Sequence, residues 1–117
     1  MKYFHKVQIK AVPPIGNRHQ HWTKTAKERQ LWHSLVASAF KFTPKEPVQK
    51  CIIRVTRFAA RQPDFDNLVW SFKAVFDGLV KARIIEDDNM NVVIDRKYSF
   101  CKVPQKNEQI TIEVEEI

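Results

Sequence analysis

Glycine is almost missing from this chain. Only Gly16 and Gly78 occur among 117 residues. The spaced glycines of P-loop and dinucleotide-binding proteins, and the glycine-flanked serine of elbow-type hydrolases, therefore cannot be written anywhere in it. Cysteine is equally scarce. Cys51 and Cys101 stand far apart, with no CxxC and no histidine at metal-ligand spacing, which argues against structural zinc and against a disulfide framework. No apolar run nears the roughly 20 residues of a membrane helix, and MKYFHKVQIK interleaves lysine with apolar residues where a signal peptide needs an unbroken apolar stretch. The expectations are a cytoplasmic address and no membrane partner. Acidic residues are scarce in the first half: up to Pro63, 13 lysines and arginines face only Glu28 and Glu46, net +11. From Asp64 onward 7 basic residues face 11 acids, net −4, and the whole chain carries +7. That footprint suits a polyanionic partner. A phosphate backbone is drawn to the first part and repelled by the second unless a cation neutralises the gathered carboxylates.

What is present is an ordinary globular composition, 44% hydrophobic and 28% charged, enough for one core and a single domain over residues 1–117. Residues 3–12 alternate loosely through Phe4, Val7, Ile9 and Val12, and Pro13-Pro14-Ile15-Gly16-Asn17 ends that strand. Thr25 and Glu28 have capping-box spacing; Leu31, Trp32, Leu35, Val36, Ala39 and Phe40 then recur in two adjacent helical rows that stop before Pro44. A β-branched strand runs from Cys51 to Phe58 and is closed off by Pro63. A second helix is predicted from an Asp66 N-cap to about Lys81, with Leu68, Phe72, Val75, Phe76 and Leu79 inward. Val92–Cys101 and Gln109–Val114 complete the set as strands. The order β-α-β-α-β-β implies an α+β fold, a small mixed β-sheet with two helices packed on it.

Chemistry concentrates in two segments, PDFDN at residues 63–67 and EDDNMN at residues 86–91. On extended backbone Asp64 and Asp66 project to one side, about 7 Å apart, so their oxygens can converge on one ion. Asp87 and Asp88 are adjacent, so only one of them can face the same site. Three carboxylates from two loops make a hard-oxygen cage suited to Mg²⁺, with Mn²⁺ able to substitute, and such a metal activates water and stabilises the leaving oxygen of a phosphodiester. Capping and turn formation explain most isolated DxD pairs; the accompanying DD loop and the basic remainder favour the metal.

PDFDNL, SFKAVFDGL and IIEDDN together resemble the RusA family of Holliday junction resolvases, whose signature is D-x-D-N, a lysine on the following helix, an aspartate four residues beyond it, then a DD pair. Pro-Pro-Ile-Gly-Asn-Arg resembles the family's Pro-rich N-terminal turn, so the resemblance spans most of the chain. It implies a homodimeric, Mg²⁺-dependent endonuclease that binds four-way DNA junctions and nicks opposing strands symmetrically, in recombination and repair. Carried over by position, Asp64, Asp66 and Asp88 are the metal-binding and catalytic carboxylates, Lys73 the catalytic lysine and Asp87 an accessory acid. Lys73 stands seven residues after Asp66 where the best-known members have four, a spacing similar to that of phage variants. Positions i+4 and i+7 share a helix face, so the lysine still reaches. Lys73 and Asp77 are also spaced as an i, i+4 surface ion pair.

Basic and aromatic groups around these motifs are candidates for the DNA surface. Asn17, Arg18, Trp22, Lys24 and Lys27 follow the first strand, where the cations can hold phosphates and Trp22 can stack on an unpaired base. Arg57 and Arg61 precede the acidic motif and can anchor a phosphate beside the scissile one. Trp70 shares a helix face with Asp66, Lys73 and Asp77, so it lines the cleft or packs in a dimer interface. Two other functions remain open: a nucleic-acid-binding protein that keeps the fold without cutting, and a metal-dependent hydrolase of small nucleotides, which leaves the +11 half without a role.

Overall fold

The computed structural model describes residues 2–15 and 22–117, with side chains in its first helix from Ala26 onward. Among the described residues the elements run β1 (Phe4–Ile9), α1 (Trp22–Ala39), β2 (Cys51–Ala59), α2 (Phe65–Ser71), α3 (Lys73–Lys81), β3 (Val93–Lys102) and β4 (Gln109–Glu116), with a 3₁₀ turn at Gln105–Asn107. The strands form one mixed sheet in the order β1-β4-β2-β3. β4 pairs antiparallel with both β1 and β2, while β2 and β3 are parallel. A parallel pair needs a long crossover, and here α2 and α3 supply it. The expected α+β class and element order hold.

Period-two burial decides which face of the sheet carries the core. Cys51, Ile53, Val55, Arg57 and Ala59 of β2, and Ile110, Ile112 and Val114 of β4, are buried, and the residues alternating with them are only partly covered. On the helix side they meet Trp32, Val36 and Phe40 of α1, Leu68 of α2 and Val75, Phe76 and Leu79 of α3. The predicted helical row Trp32–Val36–Phe40 is thus the buried one; of the second row, Leu35 and Ala39 are partly covered and Leu31 stays exposed. α1 crosses α3 closely at Gly78, where an added Cβ would come within 3.2 Å of Val36. Phe58 lies on the opposite face of β2 from Ile53 and Val55, and is half-buried outside the core.

Two departures from the sequence reading shape the site. The first concerns the second helix, which starts earlier and is broken. Asp64 is the N-cap, with extended backbone (φ −62°, ψ 155°), and α2 already contains Asp66. At Phe72 the backbone leaves the helical region (φ −91°, ψ 1°), its N–H donating to Val69 O at 3.1 Å, before α3 begins at Lys73. Ser71 sits buried at that joint and its hydroxyl donates to Leu68 O at 2.7 Å, a local alternative to regular helix bonding.

The second departure is a register shift in β3. Cys51 pairs with Val93 and Ile52 with Asp95, so Ile94 is an extra residue. Beyond that bulge the parity of β3 inverts. Val93 is buried, but Arg96, Tyr98 and Phe100 then stand beside the inward residues Ile53, Val55 and Arg57. A strict two-residue alternation from Val93 would have sent them outward.

Candidate active site

The acidic motif begins where β2 ends and α2 starts. Asp64 keeps extended backbone as the N-cap, whereas Asp66 lies in the first helical turn, so the two do not sit on one extended run. Asp66 keeps company with Val69 and Trp70, the i+3 and i+4 positions, along one side of α2. Across the break, Lys73 and Phe76 of α3 continue that side. Together with Asp88, Arg96 and Tyr98 these residues line an open cleft of about 410 Å³. Asp64 is exposed at the helix cap, makes no capping hydrogen bond, and is not among the residues lining the cleft.

The second acidic segment is held by backbone and side-chain bonds on both flanks. Upstream, Ile84 and Ile85 are buried and bridge to Val48, with Val48 N–H donating to Ile84 O and Glu86 N–H to Val48 O, each at 2.9 Å. Arg83, at φ +62°, makes the turn out of α3 in the left-handed region. Downstream, Asn89 Oδ1 accepts from the backbone N–H groups of Asn91 and Val92 at 2.9 and 3.0 Å, a side-chain-mediated turn. Asp87 is consumed locally: its carboxylate accepts from Asp88 N–H at 2.7 Å and from Asn89 Nδ2 at 3.1 Å. Of the adjacent pair, Asp88 lines the Asp66 cleft and Asp87 does not. Both border a neighbouring hollow with Arg29, His33, Asp77 and Lys81.

Arg96 ties these parts together. Its guanidinium donates to the backbone carbonyl of Asp88 and lies 4.6 Å from the ring centroid of Phe76, a cation–π distance. Tyr98 packs beside it against Phe65, Phe72 and Phe76 at ring separations of 6.1–6.3 Å. Sequence reasoning missed Arg96, because only the bulge turns it toward the cleft. Lys73 is exposed and makes no salt bridge with Asp77, so its ammonium is not spent in an i, i+4 pair.

The other candidates are spread more widely. Arg57 is only 4% exposed; its Nη1 donates to Pro13 O at 2.5 Å and its Nε has no partner. It thus presents no guanidinium to solvent and instead pins the Pro-rich turn to β2. Burial pushes its pKa below the ordinary guanidinium value, with Glu108 opposing. That inward position follows from its parity with Ile53 and Val55, a signal the sequence carried. Arg61 is exposed beyond the end of β2, and Lys27 is exposed on α1. Asn17 and Arg18, the His19 and His21 pair, and the side chains of Trp22 and Lys24 lie outside the described residues.

Two carboxylates, Asp66 and Asp88, therefore face one cleft beside two cations. Among the described residues no group of three or more His, Cys, Asp or Glu is gathered tightly enough to hold a metal ion. Mg²⁺ nevertheless takes only one or two carboxylates in phosphoryl-transfer sites, filling its octahedron with water and phosphate oxygens, so the hard-oxygen donors of Asp66 and Asp88 fit that ion. No described helix is long and apolar enough to cross a membrane. Compared with models of protein families, residues 3–115 match the one described as Endodeoxyribonuclease RusA, leaving out only two residues at each end. A search of curated proteins found no match.

Proposed function

The chain belongs to the RusA endodeoxyribonuclease family, and from that premise we propose that it cuts four-way DNA junctions in recombination and repair, as a homodimer that uses Mg²⁺ and nicks two opposing strands. The observation that carries this reading is the convergence of Asp66, Lys73, Asp88 and Arg96, from α2, α3, the EDDNMN loop and β3, on one open cleft.

In that cleft Asp66 and Asp88 would hold the metal, which when bound supplies Lewis-acid activation of water and of the phosphodiester. Lys73 presents its ammonium to the phosphate oxygens, where negative charge grows as the bond to the leaving oxygen lengthens. Arg96 fixes the backbone of Asp88, so the carboxylate meets the phosphate from a set position. Asp64 belongs to the proposed catalytic set through its place in the D-x-D-N signature. Because it makes no capping hydrogen bond, Asp64→Asn should abolish cleavage while leaving the melting temperature unchanged. The basic N-terminal half supplies phosphate contacts that position DNA without reading sequence.

A four-way junction has two-fold symmetry, and this chain carries one such cleft. An isologous dimer places two clefts about the axis that relates the target strands. The test is a cleavage assay on a synthetic four-way junction beside linear duplex, with and without Mg²⁺. Junction-selective, Mg²⁺-dependent paired nicks are expected, abolished by Asp66→Asn or Asp88→Asn while binding survives or tightens. Sedimentation should give about twice 13.8 kDa, and mixing wild-type with Asp66→Asn chains should yield dimers that nick one strand only. Binding with no cutting under any divalent ion would instead assign the chain to non-catalytic junction binding, and paired nicks made by a monomer would end the symmetric reading.

A further inference from the structure

Beside the acidic cleft lies a second, narrower space. Pro13 and Pro14 from the turn after β1, Trp32 from α1, and Trp70, Lys73 and Ala74 from α2 and α3 line a slot that shares only Trp70 and Lys73 with the cleft. Its walls are mostly apolar, and it is smaller than the cleft and too small for a duplex. Trp32 is buried, whereas Trp70 is 42% exposed at the boundary between the two spaces. An indole left that open, outside the buried core cluster, offers aromatic surface to a ligand.

The polar groups of the slot indicate what kind of occupant it takes. Glu28 and Asp77 stand on its walls with Arg29. With Lys73 also on its wall, the two carboxylates balance two cations and leave no net positive charge to draw a phosphate, while a mixture of acceptors and a fork of donors matches the edge of a nucleobase. Of the cations that suit a phosphate, Arg96 faces only the neighbouring cleft and Lys73 stands between the two spaces. Backbone and base are thereby offered different, adjoining surfaces with Trp70 between them.

We propose that this slot is a nucleobase subsite: an unpaired base from the branch of the DNA stacks on Trp70 while the phosphate next to it enters the acidic cleft. The proposal deepens the junction-nuclease reading and rests on it. Because base stacking on an aromatic side chain contributes directly to affinity, loss of the indole should weaken binding about tenfold.

The experiment is a cycle of protein and DNA changes without divalent ions, so that no strand is cut. Wild type, Trp70→Ala and Trp70→Phe are titrated against a four-way junction and against the same junction with abasic residues on both sides of the exchange point. The same three proteins are titrated against a single-stranded oligonucleotide and its fully abasic counterpart. Trp70→Ala should lose about tenfold on the junction with intact bases and nothing on the abasic one, and Trp70→Phe should stay within about threefold of wild type on both. Unaltered sedimentation of Trp70→Ala should accompany this result. An equal loss on intact and abasic DNA, or a mass change in Trp70→Ala, would overturn the subsite and assign Trp70 to structure or to the subunit interface. If wild type ignores junctions, the function proposed above fails by itself. The subsite then stands or falls on the single-strand cycle, where Trp70→Ala must again lose affinity only when bases are present.

Discussion

Arg54 and Arg57 lie three residues apart on β2, and their surroundings are opposite. On the open face, Arg54 Nη1 sits 2.6 Å from Glu113 and 2.8 Å from Glu115 of β4, and those two carboxylates hold its pKa above the ordinary guanidinium value. The charges of that face largely cancel one another. On the helix-covered face, Arg57 donates to the carbonyl of Pro13 and Arg96 to that of Asp88. A backbone carbonyl orients a guanidinium without neutralising it, whereas a carboxylate does both. The inner face therefore retains positive charge beside Asp66 and Asp88, and the outer face retains little. Residue type alone does not say what an arginine does here; the parity of its position and the identity of its acceptor do.

This contrast is sharpened most by removing Arg96. Arg96→Met should cut junction cleavage about a hundredfold, the scale of a misplacement of about 1 Å at a reacting centre, with binding changed far less, while Arg54→Met should leave both unchanged. Equal cleavage by the two variants would erase the distinction between the faces. Next in size is stability. Arg57→Ala leaves the carbonyl of Pro13 without its donor and opens a void beneath the Pro-rich turn, costing about 2 kcal/mol or more in a denaturant titration. The midpoint should move much less for Arg54→Ala, because an exposed ion pair contributes little; the reverse order would break the comparison.

A smaller effect belongs to the exposed cations of the basic half. Lys27→Glu should weaken junction binding and lower the slope of log K against log salt by about one, since one phosphate of the DNA is then no longer neutralised by the protein. A slope identical to wild type would move the DNA surface off α1. The smallest effect concerns His33 on the helix side, whose Nε2 is buried without a partner. Burial, aided by Lys81 and Arg29 and opposed by Asp77, lowers its pKa below the usual imidazole value. The unfolded chain then binds the proton more readily, so the stability tied to neutral His33 is complete above about pH 6.5 and declines as pH falls below it. His33→Gln should flatten that decline in melting temperature; an unchanged acid slope would assign it to other groups.

Much of the fold was legible because the relevant signals are local. The alternation from Cys51 to Phe58 became β2, and the spacing of Trp32, Val36 and Phe40 placed the buried stripe of α1. The pairing of PDFDN with EDDNMN was also legible as a motif, though not its geometry. Asp64 and Asp66 were both expected on extended chain, but α2 begins at Phe65, which leaves Asp64 extended at the N-cap and puts Asp66 in the first helical turn. The break at Phe72 could not be read from a continuous apolar pattern through Leu68, Phe72 and Val75, since all three are buried on either side of it. Asp87 and Asp88 look interchangeable until the hydrogen bonds to Asp88 N–H and Asn89 fold Asp87 back into its own loop.

The order of helices and strands, the divided charge and the spacing of the acids were set by the sequence, because each depends on neighbours within a few residues or on composition alone. Which acids and cations share the cleft was decided by the tertiary structure. Side chains on a strand alternate with period two, so the one extra residue at Ile94 moved Arg96 and Tyr98 to the helix face. Nothing in β3 by itself specifies that shift, since a register exists only relative to the partner strand, and β2 lies more than 30 residues earlier in the chain.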